Sequence, residues 1–393
     1  MRHDDHPPAF RNVYAGKTVW ISGHTGFKGS WLSTWLLQLG ALVHGAALEP
    51  PTTPSLFEQS GLRDRLHHEH LDVRHAAAVL RSIQRAQPDF VFHCAAQAIV
   101  RTSFVEPVET YAMNLMGTVH VLEALRTLDK PCAAVFVTTD KCYENRENAQ
   151  AYEEDDALGG FDPYSSSKAA AELAIASWRR SFFVDHPVRI ASVRAGNVIG
   201  GGDWATDRIV PDCMRALARG APILVRHKGA TRAWQHVLDP LSGYLWLGAV
   251  LSDHALAPAS PVRSGRLQPA FDSAFNFGPR EASNRAVADL VDEVLKHWPG
   301  EWQDASDPAA VHEAGQLHLS IEKASRLLAW QPVWSFEQAV AATAHWYRAL
   351  ADLGGAQAVP ASVAEGMTRQ IAAFEHDAAR AGAAWASSAQ SIR

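Results

Sequence analysis

Tyr164 and Lys168, the ends of the run Tyr164-Ser165-Ser166-Ser167-Lys168, are the residues best spaced to do chemistry. Side chains four apart share one face of a helix, so a phenol and an ammonium can meet at one small site. The ammonium favours the phenolate and is expected to lower the tyrosine from its ordinary value of about 10. Such a tyrosine can take the proton of a hydroxyl whose carbon gives up a hydride. The pair alone is common by chance. It gains weight from Gly23-His24-Thr25-Gly26-Phe27-Lys28-Gly29 far upstream, a loop suited to a dinucleotide. Together they point to redox chemistry on an alcohol.

The glycine loop stands between a β-type run, Lys17 to Ser22, and apolar residues at helical spacing, Trp31, Leu32, Trp35, Leu36 and Leu39. Glycine permits positive φ and lets the backbone approach a pyrophosphate, whose charge a helix N-terminus attracts. The spacing is G-x-x-G-x-x-G, so the strand–helix context carries the reading rather than the glycines alone. Glu49 follows about twenty residues later, at the end of a second strand, where a carboxylate bonds ribose hydroxyls and favours NAD over NADP. Lys28 either neutralises phosphate or points to solvent. Asp72 and Val73 follow an expected edge segment, a place for adenine contacts. Asn114 either holds a catalytic water or carbonyl, or braces a helix.

Strands at Ala41 to Leu48, Phe90 to Cys94, Ala133 to Thr138 and Arg189 to Val193 alternate with helices at Ala76 to Ala86, Thr110 to Arg126 and Tyr164 to Phe182. That alternation predicts crossover units and an α/β fold, a Rossmann-type doubly wound parallel sheet. Residues 14–197 are expected to form the dinucleotide-binding domain, with a return segment near 234–251. Residues 198–233 and 252–350 are expected to form a smaller α/β substrate lobe, with 252–273 a variable loop region. The tail, 351–393, is Ala-rich, with a helix expected from Val363 to Ala384 and no role assigned.

Composition narrows the class. The 393 residues are 47% hydrophobic and 20% charged, with a net charge of −6 and no basic block. These values suit a soluble enzyme and argue against nucleic acid as a partner. An anionic ligand must then be met by a few local cations. The four cysteines lack Cys-x-x-Cys spacing and the 19 histidines are dispersed, so no metal site or disulfide framework is expected. No apolar run reaches the ~18 residues of a membrane span, and the polar N-terminus lacks a signal-peptide core, so no membrane role and a cytoplasmic location are expected.

Thr138-Thr139-Asp140-Lys141-Cys142-Tyr143 follows a strand. Strand C-termini in such a sheet face the ligand crevice, and a hydroxyl, a carboxyl and an amine in succession there are hard to explain as core. With the glycine loop, Ala95-Ala96-Gln97 and Tyr-x-x-x-Lys, this run resembles the extended short-chain dehydrogenase/reductase superfamily. Within it the chain resembles the CDP-glucose 4,6-dehydratases. The narrower match rests on Gly23 to Leu32, Glu49-Pro50-Pro51-Thr52, Thr139 to Asn145, Arg194 to Trp204 and Trp234 to Leu238, and extends from about Tyr14 to Leu350. Ser22 stands where Thr is usual and Ser166 where Asn is common; neither removes a needed group.

The resemblance implies oxidation at C4, loss of water across C5 and C6, and hydride return to C6, with no net redox change. Tyr164 would deprotonate the glucosyl 4-hydroxyl, Thr139 would bond the same hydroxyl, and Lys168 would hold the cofactor ribose. Elimination needs an acid for the 6-hydroxyl and a base for the C5 proton. Sister dTDP-glucose dehydratases supply Asp-Glu there; here stand Asp140 and Lys141, by position acid and base. A lysine is a base only when neutral, which desolvation or Lys168 favours and Asp140 opposes, so the reverse assignment stays open. Gly23, His24, Gly26, Phe27, Lys28, Gly29, Glu49, Asp72, Val73, Ala95, Ala96 and Asn114 would line the NAD site with Tyr164 and Lys168. Asn197, Arg232, Gln97, Arg101 and Arg208 are the candidate substrate contacts, with a surface role equally open for Arg101 and Arg208. A guanidinium at Arg232 suits a pyrophosphate. The small residues Ala169, Ala170, Ala171 and Ala174 suggest helix pairing between subunits, as in relatives: a homodimer, or a homotetramer. A 4-epimerase would need no counterpart of Asp140-Lys141, and a silent dinucleotide sensor would not need both Tyr164 and Lys168.

Overall fold

The computed structural model describes residues 9–146, 151–258, 271–306, 317–355 and 358–386. Residues 1–8, and most of the loop expected over 252–273, lie outside them. Seven parallel strands form the central sheet: β1 (Thr18–Ser22), β2 (Leu42–Ala47), β3 (His67–His70), β4 (Phe90–His93), β5 (Cys132–Val137), β6 (Val188–Arg194) and β7 (Ala274–Asn276). Their order is β7-β6-β5-β4-β1-β2-β3. The chain reverses direction across the sheet between β1 and β4, and the crevice beyond those strand ends is where such sheets bind ligands.

Alternation within each strand builds both faces. Val19 and Ile21 enter one core with Trp31, Trp35, Phe90 and Phe92, while Trp20 and Val91 enter the other with Val79 and Ile83. The first face is covered by α1 (Phe27–Gln38) and the second by α2 (Ala76–Ala86) and α3 (Gly117–Leu125). The helix α4 (Pro163–Phe182) begins with Pro at its first position, and the Asp162 carboxylate caps it by accepting from Ser165 N at 3.0 Å. The return segment is α5 (Leu238–Ser252), buried along almost its whole length beneath the sheet. Its apolar residues run all round the helix, as burial on every side requires.

β3, His-His-Glu-His, has no apolar alternation; it is the edge segment expected before Asp72, and its side chains stay partly exposed. Two expectations differ from the fold. The helix expected over Thr110 to Arg126 is interrupted at Ala112–Met116 by a π-turn. And β7, from the stretch assigned to the second lobe, instead pairs with β6 in the central sheet. Three residues are too short to carry a period.

Candidate active site

The glycine loop is a tight turn that only glycine permits at two points. Gly23 has φ +73°, and a Cβ there would lie 2.7 Å from Ala95 N; a Cβ on Gly29 would lie 2.2 Å from Gly23 O. Gly26 caps α1 without any side-chain bond, and no acidic residue occupies the first turn. Those unshared N–H groups and the close backbone suit a pyrophosphate. Ser22 Oγ accepts from Cys94 N (3.1 Å) and Ala95 N (3.2 Å), which binds the β4 loop, with Ala95 and Ala96, to the glycine turn.

Two loop side chains have definite directions. His24 turns away toward the sheet edge: Nε2 lies 2.8 Å from His68 Nδ1, and a Cβ on Gly45 would overlap the ring at 2.5 Å. Burial and His68 hold His24 down at about 3. Lys28 points inward, its Nζ 6.0 Å from the centre of the buried Tyr244 ring. Burial lowers it to about 8, with Arg208, Asp140 and Lys141 as its charged neighbours. Of the two readings open for Lys28, the solvent-facing one is excluded. Phe27 is placed by its ring, 3.1 Å from where a Cβ on Gly200 would stand.

At the end of β5, Thr139 caps a short turn, Asp140–Cys142, accepting from Lys141 N at 3.4 Å. Its hydroxyl donates to Asp140 Oδ1 at 3.0 Å. Lys141 Nζ is 3.8 Å from the same oxygen, with the lysine 34% exposed and the aspartate 4%. Asp140 is therefore deep and Lys141 at the rim. A Cβ on Gly196 would be 2.8 Å from Asp140 Oδ2, so the carboxylate fits only because that residue is glycine. Thr139 also lies beside the Tyr164 phenol and favours its ionisation, bringing the β5 loop and α4 together.

The expected lowering of Tyr164 by Lys168 is not what the structure shows. Burial comes first and raises Tyr164 to about 12; the Thr139 hydroxyl opposes it and the Asp140 charge adds to it. Lys168 is buried too, lowered to about 8 chiefly by that burial, and its Nζ donates to Val137 O at 3.3 Å. Helical spacing put both on one face but could not foresee the desolvation that burial imposes on each.

The remaining candidates divide into those that meet this group and those already engaged elsewhere. Arg208 bonds Asp203 at 2.8 Å and acts electrostatically on Tyr164 and Lys28. Asn114, on the π-turn, donates both N–H groups, to Gln97 O (3.0 Å) and Ser167 Oγ (2.9 Å), and accepts from Gln97 N (2.9 Å). It ties the Gln97 loop to α4, which supports the second of its two readings, that it braces a helix. Gln97 is held by Thr110 and Ile99 N. Arg101 pairs with Asp207 (3.3 Å) on the surface. Asn197 accepts through its backbone from Gln235 N, and Arg232 lies on a short strand and donates to Thr231 O. Glu49 is exposed and paired with Arg63 at 2.9 Å. The Asp72 carboxylate is wrapped by Arg74, whose hydrogen bonds lower it, and Val73 is packed against Gly117.

Beneath the site lies a buried ion pair that sequence reading missed. Glu172 accepts from Arg194 Nη2 at 2.9 Å, from Ser192 Oγ at 2.8 Å and from Thr138 Oγ1 at 2.5 Å. Burial pushes Glu172 up, but Arg194 and these bonds leave it below the ordinary carboxylate range. Removing one partner from such a pair costs about 3–5 kcal/mol. The signal was present: Glu172 falls four residues after Lys168, on the face of Tyr164.

His93, at the end of β4, is buried between Ser22 Oγ (2.7 Å) and Thr118 Oγ1 (3.2 Å), and burial lowers it to about 3. Its folded value lies below the unfolded one. Its contribution is thus complete above about 6.5 and is lost as pH falls toward 3, at about 1.4 kcal/mol per unit. The stability of the parent relative to His93→Gln should decline at that slope below pH 6.5 in urea titrations. A difference independent of pH would contradict it.

The match to known proteins agrees with this geometry. The GDP-mannose 4,6 dehydratase family model matches residues 20–343. The chain belongs to that family. CDP-glucose 4,6-dehydratase of Salmonella typhimurium (strain LT2) is 42% identical to this family member over 345 residues, 86% of this chain and 92% of that protein. The dTDP-glucose 4,6-dehydratase of the same strain is 25% identical over 84% and 92% of the two chains. Among solved structures, dTDP-glucose 4,6-dehydratase from Bacillus anthracis in complex with NAD superposes with a TM-score of 0.68 at 20% identity, over 85% of this chain and 97% of that one, a likeness of fold. The dehydratase-family resemblance read from the motifs is thereby borne out. Among the described residues, no helix is long and apolar enough to cross a membrane, and no group of three or more His, Cys, Asp or Glu could hold a metal ion.

Proposed function

We propose that the protein converts CDP-glucose to CDP-4-keto-6-deoxyglucose and water, using NAD that is regenerated in each cycle. The observation that carries this is the convergence of Tyr164, Thr139, Asp140 and Lys141 on one buried site at the end of β5. Gly23, Gly26, Gly29, Ala95 and Ala96 would hold the dinucleotide, with Lys168 on the ribose and Glu49 at the adenosine end. When bound, NAD takes the hydride from sugar C4 and gives it back at C6.

The chain's own groups handle the protons. Tyr164 Oη, once ionised, receives the 4-hydroxyl proton while the Thr139 hydroxyl steadies the phenolate. The 4-ketone acidifies C5, and Asp140 and Lys141 divide the next two tasks, removing the C5 proton and protonating the departing 6-hydroxyl. Their depths favour the buried Asp140 beside the sugar and Lys141 at the mouth. Lys28, Lys168 and Arg208 make the cleft cationic in a chain of net charge −6, as a nucleoside diphosphate sugar requires. Arg232, Asn197, Gln97 and Arg101 are the remaining substrate contacts. The choice of cytosine rests on the 42% identical relative.

Phe104, Val105 and Val108 are exposed on helices beside α4, where Leu173 is also exposed. This apolar face supports a homodimer, and a cytoplasmic enzyme fits the composition. Ala169 and Ala171 are buried within the chain, leaving Ala170 and Ala174 for a partner helix. The deciding experiment is product NMR after incubation with CDP-glucose. A C6 methyl signal is expected; CDP-galactose as product would replace this reading with 4-epimerisation.

A further inference from the structure

The Glu172–Arg194 pair is more than core filling, because its two ends grip the two ends of one short segment. On one side Glu172 accepts from Thr138 Oγ1, the residue before Thr139. On the other, Arg194 Nη1 donates to Tyr143 Oη at 2.7 Å, the residue after the Asp140–Cys142 turn. Tyr143 in turn donates to Asn276 Oδ1 at 2.8 Å, and its ring stacks on Tyr152 with centroids 5.1 Å apart. Asn276 Nδ2 closes the circuit on Tyr152 O at 2.9 Å. Between the two grips lie Thr139, Asp140 and Lys141. The Asp140 N–H is itself fixed to Ala195 O at 3.2 Å, directly after Arg194.

The residues that anchor the clamp belong to helices and strands. Glu172 is on α4, Arg194 and Ser192 on β6, and Asn276 on β7. The segment it holds is a loop, which by itself would not keep a hydroxyl, a carboxylate and an ammonium within reacting distance. Small displacements of reacting groups are costly, since an error of about 1 Å can cut rate about 100-fold. Both terminal nitrogens of Arg194 are engaged while its Nε–H has no partner, and a buried polar network of this kind is the support that suppresses such displacement.

We propose that the buried Glu172–Arg194 pair is a positioning device with two separable ends, Thr138 setting Thr139 against Tyr164 and Tyr143 setting Asp140 and Lys141 against the sugar. Glu172, Arg194, Thr138 and Tyr143 are positioning residues; none touches the reacting atoms. The assignment rests on the dehydration reading, because its two ends correspond to oxidation at C4 and elimination across C5 and C6.

The test uses CDP-glucose deuterated at C4 or at C5, with the full-length enzyme and NAD. Thr138→Val removes the hydroxyl at one end and Tyr143→Phe the one at the other, both sparing the ion pair; Glu172→Gln loosens both and carries the greater folding risk. Each single-end variant should lose about 10- to 100-fold in kcat with little change in KM. In Thr138→Val the isotope effect at C4 should grow, and Thr138→Ser should restore it. In Tyr143→Phe the C4 effect should shrink and the C5 effect grow. Equal losses with unchanged isotope effects would mean the network is only structural, and the proposal would fall. Absence of a C6 methyl product from the parent enzyme would instead overturn the dehydration reading, a result visible before any variant is made.

Discussion

Tyr164→Phe should abolish keto-sugar formation while NAD binding persists. In the proposed reaction the phenol oxygen accepts the first proton, and general-base contributions of this kind are worth about 10²–10⁴-fold. The structure sharpens the reason. Tyr164 is held up at about 12 mainly by burial, with the Thr139 hydroxyl lowering it and the Asp140 charge raising it. The phenol is therefore neutral at pH 7 and must lose its own proton before it can take the sugar's. Phenylalanine keeps the ring and its packing but has no oxygen to take the proton. Product NMR reads the loss, and NAD titration by fluorescence reads the retained affinity. Turnover at the parent rate would remove Tyr164 from its assigned role.

A chain ended after Gly354 should fail to give soluble, cofactor-binding protein. The tail forms α7 (Pro360–Arg380; α6, Phe336–Asp352, precedes it), and it packs against α1, the helix that carries the glycine loop. Trp35 Nε1 donates to Glu375 Oε1 at 2.7 Å, and Trp334 Nε1 to Asp377 Oδ2 at 2.9 Å. Phe374 stands edge-on to both indoles, at 5.8 and 5.0 Å between centroids. Trp385 stacks on Phe10 at 4.9 Å and 10°, so the segments around these two residues close over α1 together. Val363, Met367, Ile371, Phe374 and Trp385 are all buried. Each such side chain contributes about 1.5–3 kcal/mol by burial, and five exceed much of the ~5–15 kcal/mol that a domain has to lose. Phe374→Ala is the milder measurement, with about 3–5 kcal/mol expected in urea unfolding. A truncated chain with the parent melting temperature would show that α1 does not need this support.

The sequence reading and the structure meet most closely where local pattern carries the information. The helix Ala76–Ala86 has the bounds expected, and β1, β2, β4, β5, β6 and α4 agree within a residue or two. Strands with apolar residues on both faces and helices of strong periodicity declare themselves, because burial selects residue type position by position. β7 did not, and β3 was expected only as the edge segment before Asp72, since a three-residue strand and a polar edge carry no such pattern. The glycine loop, Tyr164, Lys168 and the Thr139-Asp140-Lys141 run were legible for a related reason. Each is a contiguous motif whose chemistry depends on spacing along one element.

Tertiary structure decided what depends on environment rather than order. It sent Lys28 toward Tyr244 and buried His24 against β2 and β3 from one short loop, because Gly45 leaves room for an imidazole there. It made Asn114 a brace by placing Gln97 and Ser167 within reach of both its N–H groups. It reversed the expected shift of Tyr164, since desolvation is set by everything packed around a side chain and not by its fourth neighbour. And it joined Thr138, Tyr143, Glu172 and Arg194, residues from three elements, into the network under the site. The sequence by itself determined which groups could do the chemistry; the packed fold determined how deeply each is buried, what each is bonded to, and so what each can do.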